Sequence, residues 1–300
     1  MLSLERLRYL HAVSTHGSVQ AAADALHVSP SAVSQQIAKL EREIGQVLVE
    51  RDGRGVRLTD AALLLVSRTG DVLDRLENLE GEMDAFRDVV AGPVKISAFP
   101  TAARGVGPAI IRYLRGHYPD LTPSIYEQEG VESLPLLVRG DVDVVIAQDW
   151  FNAPLVLPDG LTRLALFDDI VDVAMPATHR LARRLSISLA DAADEEWVTW
   201  PTGSICHDWL VHSLRSVGHE PRIAHNAAEH ATQLAFVADG LGWSVIPRLG
   251  RDHVPAGVKM MPTHPALHRH VFAAWRTNSS RRSNIAAVRE AMLAVAKTVR

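Results

Sequence analysis

Gly17-Ser18-Val19-Gln20-Ala21-Ala22-Ala23-Asp24-Ala25-Leu26-His27-Val28-Ser29-Pro30-Ser31-Ala32-Val33-Ser34-Gln35-Gln36-Ile37 is the stretch on which the reading of this chain turns. Gly17-Ser18 closes one helix and caps the next, which runs through small alanines that let another helix approach closely. After the short link at His27-Val28, Ser29 is a good N-cap and Pro30 sits at the first helical position. The helix it starts buries Val33, Ile37, Leu40 and Ile44, and Gly45 ends it. Upstream, Leu4, Leu7, Leu10 and Val13 repeat at helical spacing. Helix, tight link and helix with a polar outer side is the helix-turn-helix arrangement. That outer side offers Ser31, Ser34, Gln35 and Lys39, short or amide-bearing groups suited to base edges and phosphates.

Downstream, Arg51-Asp52-Gly53-Arg54-Gly55-Val56-Arg57 is the tip of a hairpin between two short strands, a wing whose guanidinium groups can neutralise phosphates. Arg54 is the best placed for this; Arg51 and Arg57 are equally placed to pair with Glu50 and Asp52. Residues 1–60 carry as many acidic as basic side chains, so any DNA affinity depends on how charge is distributed and on dimerisation. Leu65, Thr69, Val72, Leu76, Leu79, Met83, Phe86 and Val90 then follow at alternating steps of four and three, the seam of a coiled coil with charged flanks. Leu65, Val72, Leu76, Leu79, Met83 and Phe86 are its dimerisation candidates. Gly92-Pro93 ends the helix and marks a boundary.

The whole chain has 300 residues, 47% hydrophobic and 22% charged, with Lys+Arg 31 against Asp+Glu 35 for a formal charge of −4. That composition excludes a disordered chain and a uniformly basic DNA coater. One cysteine, Cys206, excludes a disulfide framework and a cysteine zinc site, and fits a reducing cytoplasm. No apolar run approaches membrane-span length, and Glu5, Arg6 and Arg8 interrupt what would be a leader.

From residue 94 the pattern changes to alternating strands and helices. Strands are predicted at Val94–Phe99, Thr122–Glu127, Val142–Ala147, Ile170–Met175, Trp197–Trp200, Arg222–Ala224, Trp243–Ile246 and Val271–Trp275. Helices are predicted at Ala102–His117, Val131–Arg139, Ile205–Val217, His230–Asp239 and along the stripe Ile285, Val288, Met292, Val295 and Val299. Two such α/β series suggest two lobes around a cleft, with ligands outside the carboxyl ends of strands. The fold class is thus multidomain: an all-α winged helix-turn-helix, a long linker helix, and a two-lobed α/β module.

With those parts in place, the chain resembles a LysR-type transcriptional regulator over its whole length. Residues 17–23, residues 26–37, Leu40-Glu41, Val49-Glu50-Arg51 and Val56-Arg57-Leu58-Thr59 carry the resemblance. Gln35 departs from it, standing where many relatives have arginine, which leaves amide–adenine readout there. The resemblance implies a DNA-binding domain over 1–59 with its helix-turn-helix near 18–38. It also implies a linker helix over 60–92 and a periplasmic-binding-protein-like effector domain over 93–300. Lobe one would be 93–163 with 264–300, and lobe two 164–263. Further implications are a homodimer or homotetramer, promoter DNA and a small co-inducer as partners, RNA polymerase as a further contact, and no membrane.

The candidate DNA contacts are therefore Ser29, Ser31, Ser34, Gln35, Lys39, Arg51 and Arg54, with Ser29 chiefly a cap. Pro100-Thr101 lies where the first strand of the α/β module meets its helix, and Trp200-Pro201-Thr202 holds the equivalent place in lobe two. Gln128, Gln148, Asp149, Trp150 and Asn226 fall at strand ends that line the pocket in relatives. Asp149 and the tryptophans at 150, 200 and 243 favour an aromatic or cationic effector. The close histidines His264, His268 and His270, and His207 with His212, have no carboxylate or cysteine companion at ligand spacing, so no metal is expected. Gly242-Trp243-Ser244-Val245-Ile246 lacks the last glycine of a nucleophile elbow. The pairs Gly53/Gly55, Gly105/Gly107 and Gly240/Gly242 each lack the third glycine of a dinucleotide loop. Neither an enzyme nor a cofactor is expected. The competing reading is a solute-binding or enzymatic α/β protein with an amino-terminal assembly module.

Overall fold

A computed structural model describes residues 2–26, 28–52, 55–85, 90–251 and 253–299. The chain forms two compact units, Met1–Asp88 and Val89–Arg300.

In the first unit, α1 (Leu4–His16), α2 (Val19–Leu26) and α3 (Pro30–Ile44) precede a hairpin of β1 (Val49–Asp52) and β2 (Gly55–Leu58), then α4 (Asp60–Ala85). The capping chemistry starts the helices where the sequence indicates. The Ser18 hydroxyl accepts from the Ala21 N–H at 3.1 Å, and that of Ser29 from the Ala32 N–H at 3.2 Å. Gly45 closes α3 in the left-handed region, at φ 70°. Ala12, Val13, Ala22, Ala23, Val33 and Ile37 form one buried cluster, so the alanines sit where α2 is in contact with its neighbours. Full burial of a Val or Ile side chain stabilises by about 1.5–3 kcal/mol. Leu7, Leu10, Leu40, Leu48 and Ala62 form the second cluster, joining α1 and α3 to the base of the wing and the start of α4. The Glu41 carboxylate fixes the wing by accepting from the Leu48 N–H at 2.8 Å and the Val49 N–H at 3.2 Å. Thr59 caps α4, accepting from the Ala62 N–H while its hydroxyl donates to the Val47 carbonyl.

In the second unit, β3 (Gly92–Ala98), α5 (Pro100–Gly105), α6 (Gly107–His117), β4 (Leu121–Glu127), α7 (Gly130–Arg139) and β5 (Val144–Trp150) alternate. Then follow β6 (Leu161–Pro176), β7 (Glu196–Thr199), α8 (Ile205–Ser216), β8 (Arg222–Asn226), α9 (His230–Ala238) and β9 (Ser244–Pro247). The chain finishes with β10 (Val258–Met261), β11 (Leu267–Arg276) and α10 (Ser283–Ala296). The main sheet runs β10-β6-β11-β5-β3-β4, with β9 also on β6. The β3–β4 and β3–β5 pairs are parallel, and β11 is antiparallel to both β5 and β6. Alternation along the strands makes two cores in lobe one. Val144, Ile146, Val271 and Ala273 pack toward Ile110, Leu114 and Val288. Val145, Ala147, Phe272 and Ala274 pack toward Leu134 and Leu137. The tryptophan-rich core of lobe two holds Trp150, Trp197, Trp209 and Trp243 with Val171 and Val173.

Several departures have local reasons. The predicted helix Ala102–His117 is two helices broken at Val106, and Pro108 in the first turn of α6 is the start signal. The predicted strand Ile170–Met175 is the distal half of the 16-residue β6, whose first half pairs with β11 and whose second half pairs with β9 and β10. That first half alternates half-buried with exposed positions, which hid it in the sequence. Gly92-Pro93, expected to end the linker helix, already belongs to β3. Gly242 owes its identity to packing: at φ 148°, an added Cβ would lie 2.9 Å from Val198 Cγ2 and 3.0 Å from the Glu196 carbonyl oxygen.

Candidate functional site

Helix α3 presents Ser31, Ser34, Gln35 and Lys39 on one exposed face, opposite buried Val33, Ile37 and Leu40. The 3.6-residue period that buries the second set exposes the first. Lys39 makes no ion pair among the described residues, which leaves its charge available. Ser29 is exposed but engaged, its hydroxyl capping α3 and lying 2.9 Å from that of Ser31. Arg57 pairs with Glu50 at 2.7 Å, both exposed. Arg54 lies outside the described residues, and of Arg51 only the backbone, opposite Val56 in the hairpin, is described.

Along α4 the candidate seam divides. Leu65 packs on the core of the first unit, and Thr69 is buried with its hydroxyl donating to the Leu65 carbonyl. Beyond them Val72, Leu79 and Met83 are 48%, 55% and 54% exposed, an apolar row along α4. Leu76 is half-buried, and Phe86 lies outside the described residues.

The second unit holds a cavity of about 590 Å³ where strand ends from both lobes converge. Phe99, Pro100 and Thr101 enter from the β3–α5 junction, Trp200 and Pro201 from the β7–α8 junction, and Gln148 from the end of β5. At the centre is Arg269 on β11, 1% exposed. Its Nε donates to Asp169 at 2.9 Å and its second terminal nitrogen to Thr101 Oγ1 at 2.6 Å; the other terminal nitrogen donates to Gln148 Oε1. The guanidinium also lies over the Phe99 ring, 4.9 Å from its centroid. Asp169 in turn accepts from the Leu249 N–H at 2.8 Å. One buried ion pair thus fixes the side chains of Thr101 and Gln148. A second, smaller recess of about 280 Å³ shares Thr101, Arg104, His230 and Ala231 with the first and adds Arg251. Gly105 is forced here: a Cβ would lie 2.7 Å from Leu249 Cδ1 and 2.9 Å from the Gly250 nitrogen, so α5 sits directly on that segment.

The site shifts its own titrations. Burial, reinforced by the positive charges of Arg269, Arg104 and Arg251, pushes His230 down to about 3, so its ring is neutral. Burial pushes the Cys206 thiol up to about 12. Burial also raises Glu129, against the opposing pull of Arg269. For Asp172, burial works upward, but hydrogen bonds from Arg248 and Arg251 overcome it and hold the carboxyl below its ordinary value.

Of the sequence-derived candidates, Pro100, Thr101, Gln148, Trp200 and Pro201 line the larger cavity. The other five do not. Asp149 faces away from Gln148, as strand alternation requires, and its carboxylate takes two hydrogen bonds from Arg163 and one from the Leu155 N–H. Trp150 is stacked on Trp209 with centroids 3.6 Å apart in the lobe-two core, where Trp243 is also buried. The backbone N–H of Gln128 donates to the Ala98 carbonyl, while its neighbours Glu127 and Glu129 line the cavity. Thr202 and Asn226 are exposed beside lining residues rather than among them. Sequence reasoning missed Arg269, His230, Arg104 and Glu129. Arg269 had a signal, because it shares a strand face with Val271, Ala273 and Trp275, a charge on an otherwise apolar side. Among the described residues, no group of three His, Cys, Asp or Glu side chains has the geometry to hold a metal ion. None of the described helices is long and apolar enough to cross a membrane.

Comparison with known proteins matches residues 4–63 to the bacterial regulatory helix-turn-helix protein model of the lysR family, and residues 87–297 to the LysR substrate binding domain. The DNA-binding transcriptional dual regulator OxyR of Escherichia coli K12 is 29% identical over 296 residues, covering 98% of this chain and 95% of that protein. The HTH-type transcriptional regulator TtuA of Agrobacterium vitis is 27% identical over 265 residues, covering 87% of this chain and 85% of its own. Among solved structures, a full-length cysteine-to-aspartate variant of OxyR from Pseudomonas aeruginosa aligns with a TM-score of 0.73 at 24% identity, over 98% of each chain. Full-length CbnR in complex with its target DNA aligns with a TM-score of 0.59 at 21% identity, over 98% of this chain and 100% of that one.

Proposed function

Because this chain belongs to the LysR family of bacterial regulators, we propose that its DNA contacts and its effector contacts lie where the two geometries just described converge. It is a DNA-binding transcriptional regulator with an effector-binding domain, and it is not an enzyme. Regulators of this family bind promoter DNA and small molecules and act as oligomers.

In our reading, Ser31, Ser34, Gln35 and Lys39 enter the major groove, with Ser29 setting the helix start and Arg51 and Arg54 reaching phosphates from the wing. The observation that carries it is the single exposed polar face of a capped helix whose other face is buried. Residues 1–59 bind DNA, 60–92 pair two copies through Val72, Leu76, Leu79 and Met83, and 93–300 take the effector in the cavity around Thr101, Gln148 and Trp200. The exposed apolar row on α4 supports the pairing. Such a regulator works in the cytoplasm, where its DNA is. Effector binding biases the packing of the lobes and so the spacing of the paired DNA-binding units.

Several relatives bear the name hydrogen peroxide-inducible genes activator. We infer that this chain responds to a non-covalent ligand instead. A thiol sensor needs thiolate character, and a disulfide switch also needs a second thiol for the oxidised sulfur. Cys206 is buried with its pKa pushed up to about 12, and no second cysteine exists in the sequence.

The test is selection of binding sites from random duplex DNA with the full-length chain, followed by titration of variants on the selected site. Lys39→Ala should weaken binding evenly across sequences and reduce the salt slope by about one. Gln35→Ala should cost about 1–3 kcal/mol at one base position. Unchanged affinity and sequence preference in both variants would refute the assignment.

A further inference from the structure

The carboxylates of the two adjoining chambers all lie in the larger one, and Arg104 lines both. In the larger chamber Arg269 is already neutralised by Asp169, 2.8 Å away, and both are buried. What remains is three carboxylates, Glu127 and Glu129 from the end of β4 and the start of α7 and Glu229 beside α9, against one guanidinium, Arg104. Glu129 is half-buried, and its carboxylate has no hydrogen-bond or ion-pair partner among the described residues. Nor does it cap α7. The smaller recess is basic. Arg104 and Arg251 line it and no carboxylate does; Arg251 pairs with Asp172 behind the wall, a carboxylate it shares with Arg248, which lies outside the recess. Arg104 has a carbonyl as its partner, that of Gly250 at 2.6 Å, and no carboxylate. The junction holds His230, neutral, with Nε2 buried and unpartnered. Trp200 and Pro201 supply a flat apolar wall to the acidic side.

We propose that the effector is a small zwitterion. Its ammonium or amidinium group sits at Glu129 and Glu127, its carboxylate or phosphate group reaches the recess toward Arg104 and Arg251, and its apolar or aromatic middle lies on Trp200. This deepens the reading of the cavity as the effector site and rests on it. A singly charged anion would leave the half-buried Glu129 uncompensated and facing added negative charge. A singly charged cation would leave Arg104, whose partner is a carbonyl, without an anion. Each defect carries a desolvation cost that a ligand with both charges avoids. The volumes, about 590 Å³ and about 280 Å³, lie in the range of small-molecule sites.

The test is a thermal-shift and calorimetric screen of the full-length protein against the proteinogenic amino acids and 4-(aminomethyl)benzoate. Each zwitterion is matched with its amine-free acid and its acid-free amine. The zwitterion should bind about 10- to 100-fold more tightly than either fragment, and Glu129→Gln should remove about the same factor. Glu129→Gln should also raise the melting temperature of the ligand-free protein, since it replaces an unpartnered carboxylate by a neutral amide. Binding of the matched acid as tight as the zwitterion, and indifferent to Glu129→Gln, overturns the zwitterion while the site stands, provided Ala231→Trp, which fills the junction, abolishes binding. Hits indifferent to Ala231→Trp, or no hit in any charge class, overturn both readings.

Discussion

The buried Arg269–Asp169 pair sets how stable the second unit is. Asp169→Asn keeps the shape of the side chain and removes the charge that balances a guanidinium only 1% exposed. Asp169 accepts from Arg269 Nε at 2.9 Å and from the Leu249 N–H at 2.8 Å, so both hydrogen bonds are weakened at once. Breaking one partner of a buried ion pair costs about 3–5 kcal/mol, because the remaining charge stays buried without compensation. For a unit of roughly 200 residues, about 2–4 °C of melting temperature is lost per kcal/mol, so a fall of roughly 6–20 °C is expected. Scanning calorimetry of the full-length protein, following the transition of the second unit, reads this directly. The exposed Arg57–Glu50 pair is the control: Arg57→Met should cost about 0–1 kcal/mol. The double variant Asp169→Leu with Arg269→Met should recover much of the loss, as apolar replacements of buried pairs do. A loss below about 1 kcal/mol for Asp169→Asn would refute the claim that this pair is desolvated and holds the cavity together.

Two further outcomes are expected. The folded-state pKa of His230, about 3, lies below its ordinary value of 6.5. Between them the unfolded chain takes up the extra proton, so the stability present above about pH 6.5 drains away as pH falls toward 3, by at most about 1.4 kcal/mol per pH unit. His230→Gln should flatten urea-denaturation stability across that window, and an unchanged slope contradicts it. Leu79→Asp places a charge on the exposed row of α4, where the single chain loses little packing. Sedimentation should then show dissociation of the α4-mediated pair and much weaker DNA binding; an unaltered oligomer would remove α4 as the pairing element.

Local signals carried most of the architecture. Ser29-Pro30 announces α3 because the cap and the missing amide both favour a helix start, and the structure has the helix begin there. The cavity was half legible. Thr101 and Trp200 stand at strand-to-helix junctions, which sequence order reveals, and both line it. Asp149 was misleading because a one-residue step along β5 carries a side chain to the other face, and its partner Arg163 comes from a different strand. His230 and Arg269 come together only through tertiary contacts, so neighbouring residues gave no hint of their company. The long β6 escaped because half of it is partly exposed, and alternation at a surface resembles loop composition.

The exposed face of α3 is assigned to a DNA groove. Arg42 is exposed at the end of that helix and outside the proposed contact set, and the chain has no cysteine besides buried Cys206. Arg42→Cys labelled with an iron–EDTA cleaving group would therefore report the position of α3 alone. On a selected binding site, strand cleavage confined to a few nucleotides beside each half-site is expected, repeated about one helical turn or a multiple of it apart. Diffuse cleavage along the duplex, or none from a bound complex, would contradict it.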